Sequence, residues 1–223
     1  DGGSSSSGSS STPASSVYQV INGYIQGAVV FRDANNNGVQ DSGEASGTTD
    51  ATGKVSLVGD NSAPIIVKPG GIDVASGETY TATLKAPAGA GSVTPLTTVV
   101  AEMVKTNPAL SVSDAVDKVK TAFGLTADIL NTDPYASESA ANTAVAKAGV
   151  QVAALLKKVV ADAGSADAGA AVASALGAKI VATSGAVNLA DAATLTSVVN
   201  DAKTANATLL GSVTASSVGN ATA

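Results

Sequence analysis

Cysteine, histidine and tryptophan are absent from this chain. Without imidazole or thiol it has no histidine general base, no thiol nucleophile, no disulfide and none of the usual zinc ligands. The lack of cysteine also leaves the redox compartment unmarked. Aromatic residues are 3% of the chain, so the core must be packed from small aliphatic side chains. The four tyrosines, Tyr18, Tyr24, Tyr80 and Tyr135, are too scattered in sequence for a sugar-binding platform and read as core or interface residues. Lys and Arg number 12 against 18 Asp and Glu, a net charge of −6. That leaves no basic patch to neutralise phosphates and argues against nucleic-acid binding. No apolar run approaches the ~18 residues of a membrane span.

What is present is 223 residues with 44% hydrophobic content, mostly Ala and Val. That length can bury one or two cores. Catalysis would have to rest on carboxylates or Ser/Lys pairs. Ser111-Val112-Ser113-Asp114 reads as a helix cap rather than a nucleophile. Lys157-Lys158 reads as a solvated face. The sequons at Asn206 and Asn220 matter only in a host that glycosylates. The expectation is therefore a protein that is not an enzyme.

Asp1 to Ser11 is Asp-Gly-Gly and a Ser/Gly run, too polar to offset its ordering entropy by burial. Residues 1–16 are expected to be a flexible tail. The chain opens on Asp1 rather than Met, which fits a processed product or a trimmed chain. From Val17 the pattern changes. Val17–Ile21, Tyr24–Phe31, Lys54–Val58, Pro64–Lys68 and Thr79–Ala86 are β-prone runs separated by Gly, Pro, Asn and Asp turns, which indicates a β-sandwich over residues 17–93.

At Thr94-Pro95 the period shifts from strand to helix. Thr at an N-cap followed by Pro is a start signal. Leu96, Val99, Val100 and Met103 recur at helical spacing, and Asn107-Pro108 ends that run. Ser111 with Asp114 opens a second helix that stops at Gly124. Asp133-Pro134 is expected to open a third, ending near Gly164. Ser165 to about Thr183 forms a fourth, and Asn188 caps a fifth that reaches about Leu210. Ser216 to Ala223 reads as frayed. Short loops between Ala-rich helices favour antiparallel packing, so residues 94–223 are expected to form a helical bundle. The fold class is α+β: an N-terminal β-sandwich carrying a metal loop, then an antiparallel helical bundle.

The loop is Asp33-Ala34-Asn35-Asn36-Asn37-Gly38-Val39-Gln40-Asp41-Ser42-Gly43-Glu44. Side-chain oxygens stand at positions 1, 3, 5, 9 and 12: Asp33, Asn35, Asn37, Asp41 and Glu44. Gly38 is at position 6, where the chain must turn sharply. Val39, at 7, can offer only its backbone carbonyl. The pattern D-x-[DN]-x-[DN]-G-x5-E is matched throughout, and it supplies the six to eight oxygens that Ca2+ requires. The bland alternative is an Asn/Asp/Gly-rich turn without metal. Asp50 reads either as a further oxygen ligand or as a turn residue. Millimolar calcium outside cells is the natural setting for a lone loop of this kind.

The stretch from Phe31 to Glu44, followed by Thr48-Thr49-Asp50-Ala51-Thr52-Gly53, resembles the calcium-binding B-type repeats of bacterial surface adhesins. The resemblance covers residues ~22–105 and implies a prealbumin-like β-sandwich with Asp33, Asn35, Asn37, Asp41 and Glu44 as ligands. The bare loop also resembles dockerin loops, but those precede a helix. The Ser/Gly run resembles the segment after the acylated cysteine of bacterial lipoproteins, which implies a lipid tether.

Two functions are carried forward. One is a secreted, calcium-stabilised structural protein of a bacterial cell surface or matrix. It would assemble with copies of itself into filaments when residues 1–21 of one subunit lie along the sheet of the next. The other is a monomeric, lipid-tethered adhesin or module that binds a surface glycan or protein. In the bland version of the first, Val17–Ile21 pairs within its own domain.

Overall fold

The computed structural model describes residues 13–223, and Thr94-Pro95 is where its strands give way to helices. The strands are β1 Ser15–Val20, β2 Ile25–Gln26, β3 Val29–Arg32, β4 Ser46–Thr48, β5 Lys54–Val58, β6 Ile65–Val67, β7 Ile72–Asp73, β8 Leu84–Ala86 and β9 Ser92–Val93. The helices are α1 Pro95–Thr106, α2 Val112–Phe123, α3 Ala140–Ala163, α4 Asp167–Ala182, α5 Ala192–Ala205 and α6 Ala215–Thr222. The chain is thus mixed α/β, with strands N-terminal and helices C-terminal. The strands form three small sheets, ordered β5-β1-β9, β2-β7 and β4-β3-β6-β8.

β1 is the middle strand of its sheet. It pairs antiparallel with β5, Val17 opposite Ser56, and parallel with β9. Alternation decides its faces: Tyr18 and Val20 are fully buried, while Val17 points outward. β5 alternates the same way, with Val55 and Leu57 inside. In this chain, then, the Val17–Ile21 run pairs inside its own sheet. It begins two residues early, at Ser15, because the ladder with β5 continues to Val58. Of the expected tail, residues 1–12 lie outside the described residues.

The Tyr24–Phe31 run divides into β2 and β3. Gly27, with φ 73°, turns the chain between them, so β2 joins β7 while β3 joins β4 and β6. The Thr79–Ala86 run contracts to β8, with Thr79 making only an isolated bridge to Ile72. Strands β4, β7 and β9 are two or three residues long, too short to show a period.

α1 lies between the sheets and the other helices. Thr94 caps it reciprocally with Thr97: each backbone N–H donates to the other's hydroxyl, at 2.8 and 3.1 Å. Every residue from Pro95 to Met103 is buried, not one stripe alone. The reason is contact on all sides: α1 packs on β8 and β9 as well as on α2, α3 and α4. Its first turn also serves the sheet edge. The Lys85 N–H donates to the Thr98 hydroxyl at 2.9 Å, and the Thr97 hydroxyl donates to the Lys85 carbonyl at 2.7 Å. A salt bridge of 2.6 Å between Lys85 and Glu102 completes the seam.

Ser111 caps α2 through the Asp114 N–H at 3.0 Å, the role expected of it. α3 begins later than Asp133-Pro134 suggests. Asp133 instead accepts the Tyr135 N–H at 2.9 Å and closes a turn, and Ser139 provides the cap. α5 is capped by Asp191 rather than Asn188, whose side chain holds a turn to Ala190. α6 occupies the stretch expected to fray. It is held against α5, where a Cβ on Gly219 would stand 2.2 Å from the Thr196 hydroxyl, so only glycine allows this approach. One hydrophobic core runs from Tyr18 in β1 to Val218 in α6. Among the described residues no helix is long and apolar enough to cross a membrane.

Candidate metal centre

The loop 33–44 leaves the sheet at Asp33, just past β3, and returns at Ala45, just before β4. Its stem is pinned by two backbone hydrogen bonds: Arg32 N–H to the Ala45 carbonyl and Asp33 N–H to the Pro64 carbonyl, both 2.9 Å. A hairpin between paired strands thus fixes the two ends of the twelve-residue pattern side by side.

Asp33 has no exposed surface. Its two carboxylate oxygens accept the Asn37 N–H at 3.0 Å and the Gly38 N–H at 2.8 Å, folding the loop over itself. Gly38 sits at φ 80°, the left-handed turn that position 6 requires. Asn35 and Asn37 both donate from their amides to the same Asp41 carboxylate oxygen, at 2.8 and 2.7 Å. Glu44 uses both of its oxygens. One accepts the Ala34 N–H at 2.8 Å and the other the Asp41 N–H at 2.9 Å, which draws the last residue of the pattern onto its beginning. The structure therefore brings Asp33, Asn35, Asn37, Asp41 and Glu44 into one hydrogen-bonded cluster. Val39, at position 7, has an exposed side chain, and its N–H donates to the Asn37 carboxamide oxygen at 2.8 Å.

No group of three or more Asp, Glu, His or Cys among the described residues is gathered closely enough to hold a metal on its own. Asp33, Asp41 and Glu44 instead accept backbone and asparagine amides at separate points, while the other donors of the pattern, two carboxamides and a backbone carbonyl, are of kinds that calcium takes. The donor set holds oxygen alone, which suits a hard cation and disfavours zinc or copper. The two asparagine amides face Asp41 through nitrogen while their oxygens accept the Asn37 and Val39 N–H groups, so to ligate an ion each carboxamide would have to turn and give up those bonds. The residues fit Ca2+.

Asp50 stands apart from this cluster. Its carboxylate accepts from the Thr52 hydroxyl at 2.7 Å, the Thr52 N–H at 2.8 Å and the Lys54 N–H at 3.1 Å. The Thr52 hydroxyl, then the Lys54 and Thr52 amides, hold its pKa below the usual carboxylate value. Asp50 thus closes the turn before β5.

Sequence reasoning missed what lies beneath the loop. Asp33 and Asn36 line a cavity of about 140 Å³ together with Lys85, Glu102 and Lys105. The Lys105 ammonium is 3.9 Å from where a Cβ on Gly38 would be. The loop therefore rests against α1, beside the buried Lys85–Glu102 pair. No local signal announces this, because residues 33 and 105 meet only through the fold. No protein-family model, curated protein or solved structure matches this chain.

Proposed function

We propose that this chain is a calcium-stabilised structural module of a bacterial cell surface or extracellular matrix. The observation that supports the reading is a twelve-residue loop matching the calcium spacing, folded onto itself by Asp33 and Glu44, with Asn35 and Asn37 meeting Asp41 inside it. Those five side chains, with the Val39 carbonyl, would hold the ion. Bound calcium would neutralise three carboxylates and cross-link the loop, and so stabilise the folded chain over the unfolded one. In this reading the three sheets belong to a prealbumin-like β-sandwich and the helices to an antiparallel bundle. The absence of imidazole and thiol supports a structural rather than an enzymatic role.

Calorimetric titration with Ca2+ tests it. The parent chain binds one ion and gains about 3 kcal/mol of stability at a hundredfold excess over Kd. Asp33→Ala with Glu44→Ala removes both effects. A parent chain that takes up no heat and melts alike in calcium and in chelator contradicts the reading.

A second reading, assembly into filaments by strand donation, is favoured by the place of β1. It is the first strand among the described residues yet the middle of its sheet, and it buries Tyr18 and Val20 completely. Handing it to a neighbour would reproduce the same ladder between chains and leave each subunit an acceptor. The exposed register pair Val17 and Ser56 offers a test in a chain with no native cysteine. In Val17→Cys, Ser56→Cys protein incubated at high concentration with calcium, oxidation yields a ladder of linked chains if β1 is donated. Linked monomers alone mean that it stays at home. The lipid-tethered adhesin remains the alternative, and the groove described next bears on it.

A further inference from the structure

We propose that the groove between the Ile21–Tyr24 turn, β7 and α3 is a binding site for a neutral oligosaccharide. The groove shares no residue with the loop 33–44, so this proposal and the calcium reading can fail separately.

The sequence scatters its tyrosines, but the fold gathers two of them. Tyr24 and Tyr135, 111 residues apart, meet edge to face with ring centroids 6.2 Å apart and planes at 80°. Both are held by Asp133. One carboxylate oxygen accepts the Tyr24 hydroxyl at 2.8 Å, and the other accepts the Tyr135 N–H at 2.9 Å. That hydrogen bond, with burial and the Asp133 charge adding to it, raises the Tyr24 pKa. The platform is therefore assembled before any ligand arrives.

The cavity beside it measures about 510 Å³, within the range of roughly 300–1,000 Å³ usual for ligand sites. Its exposed apolar surface is concentrated: Tyr135 is 47% exposed, Val74 48% and Val150 55%. Polar groups of both kinds surround it, with Asn22, Asp73, Glu78 and Lys157 in the lining. Among the described residues the side chains of Asn22, Glu78 and Lys157 make no hydrogen bond; Lys157 stands over the Tyr80 ring at 5.8 Å. A hollow of only about 20 Å³ shares Asn22, Tyr135 and Val150 with it. Tyr135 thus forms one wall of the larger cavity and stands between the two.

These features select a sugar chain. Pyranose rings present C–H faces that stack on tyrosine and hydroxyls that both donate and accept. The rim offers acceptors at Asp73 and Glu78 and donors at Lys157 and Asn22. A strongly anionic polymer would meet two carboxylates against one ammonium.

The test is saturation-transfer NMR with the full chain and two probes, cellotetraose and chitotetraose, followed by titration of Tyr24 and Tyr135 resonances. At least one probe is expected to bind in the millimolar range or tighter. Tyr135→Ala should weaken it at least tenfold and Tyr135→Phe less than threefold, with Tm nearly unchanged in both because Tyr135 is half exposed. Glu78→Gln with Lys157→Met keeps the platform and should also weaken binding. Absence of transfer from both probes overturns the proposal, as does binding that Tyr135→Ala leaves intact. Dimerisation of the parent that Val150→Glu abolishes, without sugar binding, would show that a protein covers the groove and would equally overturn it.

Discussion

Asp33, Asp50, Asp60 and Asp73 each draw a loop of the strand half back onto a carboxylate by accepting nearby backbone amides. The helical half has such turns too, at Asp128 and Asp133 before α3, but its helices are held to one another mainly by packing. Val152, Leu156, Leu176, Val198 and Val199 are fully buried against one another's helices, and polar groups there mostly cap ends. Carboxylate closures are local and directional, and they respond to protons and cations. Aliphatic packing responds to neither. Ions and pH should therefore address the strand half first, although both halves share one core.

The largest effect is expected where the halves join. Glu102 and Lys85 have side chains only 8% and 14% exposed. Glu102→Ala leaves the partly buried Lys85 ammonium without a counter-charge and should cost about 2 kcal/mol, less than for a fully buried pair. Urea unfolding followed by circular dichroism should lose strand and helix signal in one transition at lower urea. Two separated transitions would mean that the halves fold independently and that the contrast is between neighbours, not parts.

A smaller effect belongs to Asp50. Hydrogen bonds from Thr52 and Lys54 depress its folded pKa, so its contribution is present above the unfolded value of ~3.9 and fades as pH falls through the lower folded value. Asp50→Asn should lower Tm slightly at pH 7 and flatten part of the loss below about pH 4. Asp191 is depressed in the same direction, chiefly by the Thr194 hydroxyl, but it only caps α5. Because the halves unfold together, Asp191→Asn should flatten part of the same acid loss, and amide exchange at low pH should separate the two: faster at the start of α5 in Asp191→Asn, faster at the Asp50–Lys54 turn in Asp50→Asn. Exchange that quickens equally at both places in both variants would erase the distinction between the halves.

The reading of these halves from sequence succeeded where a local rule governs the residue. Thr94-Pro95 marked the junction because an N-cap and a fixed φ need no tertiary help. Lys54–Val58 showed its buried face because alternation records burial. The spacing of the loop 33–44 was legible because it is a local pattern, and the hydrogen bonds of Asp33, Asp41 and Glu44 do fold those twelve residues onto one another. Other features depend on partners distant in sequence. Asp133-Pro134 has the form of a helix start, yet Asp133 is taken by Tyr24 and by the turn to Tyr135. Residues 216–222 lack strong apolar period, yet Gly219 lets them dock on α5. α1 shows one stripe in sequence and is buried all round, because its threonines complete the edge of β8. Lys157 carries no sign of the Tyr80 ring that it covers.

The central claim is that calcium organises residues 33–44 and not merely that an acidic loop exists. Hydrogen exchange read by mass spectrometry, in calcium and in chelator, addresses it directly. The amides of Ala34, Asn37, Gly38 and Asp41 already donate to Asp33 and Glu44 oxygens, so ordering those carboxylates should slow their exchange. The account predicts strong calcium-dependent protection across 33–44, weaker protection in β3 and β4, and none at the Asp50–Lys54 turn. Identical exchange with and without calcium, or protection spread evenly over both turns, would contradict it.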